Sequence, residues 1–203
     1  SSSEVYGTAR QVPISESHPL QGQSPYSASK IGADKLVESF FCAYNLPVVI
    51  VRPFNTYGPR QSARAVIPAI ITQALTKSSI NLGNLETTRD FTYVDDTING
   101  FIKAAGSEAA LGKTINLGTG SEIKIGELAR KIIQKTGSQA TIVVEPQRLR
   151  PQTSEVFRLI SDNTQARQIL GWQPQTDLEA GLDRTIHWIN EHLNLYRIGH
   201  YEF

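Results

Sequence analysis

The 203-residue chain contains no methionine and a single cysteine. One thiol excludes a disulfide framework; Cys42 lies in an apolar run, which reads as a buried free thiol and suits a reducing cytoplasm. An excess of charge of one sign is also missing. With 20 Lys and Arg against 19 Asp and Glu, the formal net charge is +1, which argues against nucleic acid or an anionic membrane as the main partner. No run approaches the roughly 18 apolar residues of a membrane span, and no basic-then-apolar start marks a signal peptide. Repeats and low-complexity tracts are absent. The histidines, His18, His187, His192 and His200, lack metal-ligand spacing and read as structural or exposed. Without a methionine at position 1, the chain is expected to be a piece of a longer protein.

What is present is ordinary globular composition, 39% hydrophobic and 19% charged, on a chain long enough to bury a sizeable core. Residues 1–6 read as the end of a strand, followed by a loop rich in Pro, Ser and Gly. Ser24-Pro25 starts a helix, with Ser as N-cap and Pro at the first helical position. Ile31, Leu36, Val37, Phe40, Phe41 and Tyr44 follow at helical spacing, until Asn45 and Pro47 stop it. Val48 to Val51 is short, apolar and β-branched, which predicts a strand of a parallel sheet buried on both faces. Further helices are predicted over 65–77, 95–106, 162–170 and 177–194, and one over "KIGELARKIIQKTG", closed by Gly137. Strands are predicted at 80–83, in "KTINLGTG" and in "ATIVVEP". Asp95 and Asp96 read as capping charges at a helix start. The alternation of strand and helix defines an α/β class.

Tyr26 and Lys30 are four residues apart on the first helix, so they project from one face, one turn apart. An ammonium beside a phenol favours the phenolate and draws its pKa from about 10 toward neutrality. Such a phenolate can take the proton of an alcohol while a hydride leaves the same carbon.

The ordered strings "SSSEVYG", "PLQGQSPYSASKIGADKLVESF" and "RPFNTYGPRQSARAVIPAIITQAL" resemble the extended short-chain dehydrogenase/reductase family. Within it they are most similar to nucleotide-sugar 4,6-dehydratases, in particular the bacterial enzymes acting on nucleotide-linked N-acetylglucosamine in legionaminic-type sugar synthesis. The resemblance spans essentially the whole chain. It implies the C-terminal part of a doubly wound, Rossmann-like parallel sheet plus a smaller α/β substrate-binding subdomain. Residues 1–60 would carry the Tyr-Lys pair, and residues 61–203 would be mainly sugar-nucleotide binding, with some segments returning to the first sheet.

The resemblance also implies roles. Tyr26 would be the base at the sugar 4-hydroxyl, and Lys30 would hold the nicotinamide ribose of NAD, with Pro53 lining the cofactor site. Ser2 would hydrogen-bond the 4-oxygen, and Glu4 would remove the C5 proton once C4 is a ketone; from the residues alone Glu4 reads equally as a solvated charge. Ser3 stands where the dTDP-glucose branch carries Asp, so a dedicated acid for the leaving water is in question, and Ser3 is assigned to the substrate. Asn55, Val66 with the neighbouring Ile67, Arg89 and Arg150 would meet the nucleotide sugar, Arg being suited to bidentate phosphate contacts. Arg60 and Arg64 stay open between surface and substrate.

No glycine-rich turn of the G-x-G-x-x-G kind followed by a helix occurs in the sequence. The resemblance therefore implies that the first part of the NAD-binding sheet precedes Ser1, and that this piece alone binds NAD poorly. It further implies a cytoplasmic enzyme that forms a homodimer through the Tyr26-bearing helix. Rival readings are a UDP-glucuronate decarboxylase, a 4-epimerase, or a non-catalytic sugar-nucleotide-binding or dimerisation fragment.

Overall fold

The computed structural model describes residues 1–149, 151 and 153–196. The first ordered segment is a 3-10 turn, Ser3–Tyr6, where a strand end is predicted. The reason is local hydrogen bonding. Ser2 caps the turn by accepting from the Glu4 N–H at 3.2 Å, and the Val5 and Gly7 N–H groups donate to the Ser2 and Glu4 carbonyls. The backbone is thereby paired within the turn, not to a neighbouring strand.

Helix α1, Pro25–Tyr44, starts as the sequence dictates. Ser24 and Ser27 form a reciprocal capping box, with N–H to Oγ distances of 3.0 and 3.1 Å. Asn45 ends the helix in the left-handed conformation, φ 51°. The apolar stripe on α1 is mostly exposed: Leu36, Phe40 and Tyr44 face outward, and Ser27 and Asp34 are its buried residues. Cys42 is exposed too, which corrects the buried-thiol reading. It lies two residues from Phe40 and Tyr44, on a helix whose fully buried residues, Ser27 and Asp34, are both polar.

Strand β1, Ile50–Pro53, runs parallel to β6, Thr114–Leu117, with Ile50 opposite Thr114. It begins two residues later than predicted, and its inner pair, Val51 and Arg52, is the buried part. Strand β2, Asn55–Tyr57, pairs in parallel with β5, Phe91–Tyr93. Strand β3, Ser79–Leu82, pairs in parallel with β8, Thr141–Val144. Strand β4, Thr88–Arg89, lies between β7, Ile123–Lys124, and β9, Arg158–Leu159. Parallel pairing needs long crossovers. Helices α2, Val66–Thr76, α3, Val94–Ala105, and α4, Ile125–Thr136, lie within them. Helices α5, Thr164–Leu170, and α6, Leu178–Glu191, complete the chain. The molecule is α/β with parallel pairs, the predicted class.

The largest apolar core joins α2, α4 and α6 around Ile70, Ile71, Leu128, Ile132 and Leu182. A second core around Val51, Ile115, Leu117 and Trp172 underlies β1 and β6. A third gathers Val5, Tyr6, Ile14, Phe54, Val156 and Leu159 beneath the N-terminal turn. Gly181 lets α6 approach the sheet, since a Cβ there would stand 2.0 Å from the Tyr57 hydroxyl oxygen. The Gln73 side chain serves β3 as a substitute strand: its Oε1 accepts from the Asn81 N–H at 2.9 Å. Asp96 does more than sit at a helix start. Its carboxylate accepts the backbone N–H groups of Gln175 and Thr176 at 3.0 and 2.9 Å, pinning the segment that leads into α6.

Candidate active site

A cleft of about 330 Å³ opens between the N-terminal turn, the start of α2, the ends of β3 and β4, Arg148 and Glu155. Glu4, Asn55, Val66, Ile67 and Arg89 all line it, so five residues of the sequence-based proposal share one surface. Arg64 also lines it, whereas Arg60 is exposed in a left-handed turn, φ 68°, outside the wall. Arg148 and Glu155 join the cleft and were not singled out from sequence. Both fall close to Arg150 in the chain, so the string "RLRPQTSEVF" was the available signal. Arg150 itself lies outside the described residues.

The wall is polar and mixed in charge. Three guanidinium-bearing residues, Arg64, Arg89 and Arg148, face a space shared with the carboxyl-bearing Glu4 and Glu155. Arg89 donates to the Thr88 carbonyl at 2.8 Å, and Arg148 is paired to Glu145. Two amide oxygens, Asn55 Oδ1 and Gln61 Oε1, are buried without a hydrogen-bond partner, although each residue borders the cleft. An unpaired buried acceptor is costly, so a donor arriving with a ligand would relieve it. Next to Arg89, the fully buried Asp90 accepts from Thr119 N–H and Oγ1–H, Gly120 N–H and Ser161 N–H. Burial pushes its carboxyl above the usual range, partly offset by these donors. Asp90 thereby fixes the turn after β6 to the strand that ends in Arg89. A second cavity, about 490 Å³, shares Arg89 and Phe91 with the cleft but is not bordered by Asn55 or Gln61.

The remaining described residues of the proposal do not line the cleft. Tyr26 and Lys30 stand on α1, with the Lys30 ammonium 5.5 Å from the Tyr26 ring centroid, as one turn of helix demands. Neither the phenol nor the ammonium makes a side-chain hydrogen bond among the described residues, and Tyr26 is 52% exposed. The phenol faces solvent, and Lys30 is half-buried beside it. Helix α1 packs against the turn that holds Glu4. Ser2 is spent in part on capping that turn, Ser3 is buried, and Pro53 ends β1 opposite Leu117; none of the three lines the cleft.

Parallel strand pairs, a cleft bordered by arginines and a Tyr-Lys pair one helical turn apart are consistent with an extended short-chain dehydrogenase/reductase. The family model described as GDP-mannose 4,6 dehydratase matches residues 1–185, and the chain belongs to that family. A UDP-glucose 4-epimerase from Mycolicibacterium smegmatis is 35% identical over 190 residues, covering 92% of this chain and 59% of the relative. A dTDP-D-glucose 4,6-dehydratase from Homo sapiens is 32% identical over 204 residues, covering 97% and 57%. Among solved structures, a dTDP-glucose 4,6-dehydratase from Bacillus anthracis in complex with NAD superposes with a TM-score of 0.85 at 27% identity, covering 97% of this chain and 62% of that one. The chain thus spans about three fifths of the length of these proteins.

Proposed function

We propose that the chain is the catalytic and sugar-nucleotide-binding part of an NAD-dependent nucleotide-sugar 4,6-dehydratase. The observation that carries this reading is a carboxylate, Glu4, sharing a cleft with Arg89, Asn55 and Arg64 on a turn packed against the helix of Tyr26 and Lys30. The arginines suit a diphosphate, and Glu155 suits ribose or sugar hydroxyls. Tyr26 and Lys30 fit the reacting end of the cofactor. No glycine-rich cradle for its pyrophosphate occurs in these 203 residues, which span about three fifths of the length of the relatives.

Bound NAD supplies the hydride acceptor and, later, its donor. Tyr26 takes the proton of the 4-hydroxyl as the C4 hydride departs, leaving a ketone at C4. The ketone acidifies C5–H, and Glu4 accepts that proton. The same carboxyl, now protonated, gives its proton to the departing 6-hydroxyl, and water leaves across C5–C6. Return of a hydride at C6 would complete the 4-keto-6-deoxy sugar, with C5 taking a proton from water through Glu4 and Tyr26 releasing the one it took from the 4-hydroxyl. Ser3, in the place of the Asp of the dTDP-glucose branch, is buried, which favours Glu4 as both base and acid. N-acetylglucosamine linked to UDP or GDP is the sugar nucleotide we assign. A 4-epimerase is the second reading, favoured by the 35%-identical relative of that name.

Incubating the full-length protein and NAD with UDP- and GDP-linked N-acetylglucosamine tests the reading by mass spectrometry and NMR. Loss of one water with a ketone at C4 supports the dehydratase. A C4 epimer of unchanged mass supports the second reading, and no turnover of any sugar nucleotide overturns both. A homodimer through α1, whose Leu36, Phe40 and Tyr44 are exposed at intervals of four residues, is part of the proposal. Sedimentation of a Leu36→Glu variant as a monomer would bear it out.

A further inference from the structure

Arg52, on β1, is 5% exposed and lies outside the cleft wall, yet its guanidinium touches two of the segments that hold the proposed reacting groups. Its Nε and Nη2 donate to Asp34 Oδ2 at 3.1 and 2.9 Å. Asp34 is on α1, one turn beyond Lys30 and two beyond Tyr26. Its Nη1 donates to the Tyr6 hydroxyl at 2.9 Å. Tyr6 closes the turn that carries Ser2 and Glu4, and its own hydroxyl donates to Asn116 Oδ1 on β6 at 2.8 Å. The Ser1 hydroxyl adds a bond to Asp34 Oδ2 at 2.9 Å. Three residues beyond Arg52 is Asn55, in the cleft wall.

A buried ion pair is weak support for stability, because desolvation offsets most of the attraction. What a planar guanidinium bonded through all three of its nitrogens does well is hold angles and distances. In the proposed reaction two groups on separate segments, the Tyr26 phenol and the Glu4 carboxylate, must reach adjacent carbons of one sugar. Misplacement by about 1 Å costs on the order of 100-fold in rate.

We propose that Arg52 is a positioning residue, which sets the spacing of α1 and the Ser3–Tyr6 turn and through them of Tyr26 and Glu4. The proposal rests on the dehydratase reading for its kinetic consequence, and on geometry alone for its structural one.

The test uses Arg52→Lys and Tyr6→Phe in the full-length protein. Lysine keeps the charge but cannot bridge Asp34 and Tyr6 together; Phe removes only the phenol link. At a temperature where each variant is folded, Arg52→Lys is expected to lower kcat about 10- to 100-fold with KM for the sugar nucleotide within about twofold, and Tyr6→Phe to fall between it and wild type. Combined with Glu4→Gln, the Arg52→Lys loss should shrink, since a displaced carboxylate no longer matters once it is gone. A merely structural residue would lower the melting temperature, leave kcat of the folded enzyme intact and add independently to Glu4→Gln. Hydrogen exchange separates this from failure of the functional reading: Arg52→Lys should accelerate exchange in the Ser3–Tyr6 turn and the first half of α1, and leave α2 and α4 unchanged. That pattern in a protein with no turnover keeps the positioning role and sinks the dehydratase. Unchanged exchange and unchanged kcat overturn the proposal.

Discussion

Helices α1 and α2 meet opposite fates: α2, VIPAIITQALT, is apolar over most of its length, whereas α1 mixes apolar with polar and charged residues. Seven of the eleven residues of α2 are buried, including Ile67, Ile70 and Ile71; of the twenty residues of α1, only Ser27 and Asp34 are. α2 brings Val66 and Ile67 to the cleft from within the largest core. α1 presents Tyr26 and Lys30 from a helix held by the Asp34–Arg52 pair, and by Phe41 seated where Gly112 has no side chain. Apolar packing is non-directional and tolerates small shifts, whereas a forked ion pair holds a particular geometry. The cleft wall at α2 is thus built on bulk burial, and the proposed reacting pair on a few contacts, the most directional of them the Asp34–Arg52 pair. Substitutions should therefore unfold the protein on one side and slow it on the other.

The sharpest test of that division is Tyr26→Phe or Glu4→Gln in the full-length protein. Each is expected to cut kcat by about 10²- to 10⁴-fold, with thermal midpoint and sugar-nucleotide affinity unchanged. Steady-state kinetics alongside calorimetry checks it, and a large fall in the midpoint would erase the contrast. Leu128→Ala, in the core under α2, should lower unfolding free energy by about 2 to 5 kcal/mol in denaturant titrations. Arg89→Ala should weaken sugar-nucleotide binding about 10- to 100-fold by isothermal titration, with the fold intact. Leu36→Ala, on the exposed stripe of α1, should stay within about 0.5 kcal/mol of the parent at concentrations low enough to keep the 203-residue chain monomeric.

The smallest expected effect is electrostatic. Hydrogen bonding from Arg158 holds the Glu122 carboxyl below its ordinary range. A carboxyl with a depressed folded pKa contributes stability above its unfolded pKa and loses it as pH falls through the folded value. Because Arg158 is half-exposed, Glu122→Gln should cost no more than about 0.5 kcal/mol near neutral pH. The difference from the parent should vanish in acid, which pH-resolved denaturation reads directly.

Much of the scaffold was legible in the sequence because its signals are local. The Ser24-Pro25 start, the Asn45 and Gly137 stops and the crossover helices all appear within a residue or two of expectation. Glu4, Asn55, Val66 and Arg89 do share a cleft. The N-terminal segment differed, since a strand's outward bonding is not visible in "SSSEVYG", whereas Ser2 had a cap to make at once. Cys42 looked buried because an apolar neighbourhood in sequence says nothing about which helix face is covered. Glu155 went unnoticed because a lone acid beside two arginines looks like surface.

By itself the sequence determined where the main helices begin and end, to within about three residues, and that a phenol and an ammonium stand one turn apart. Those features depend on bonds among residues within about four positions. Only the tertiary structure decided that Arg52 would meet Asp34 and Tyr6, and Tyr6 meet Asn116, across 18, 46 and 110 residues of chain. Contacts of that range exist only after every intervening element has packed, so no local pattern can encode them.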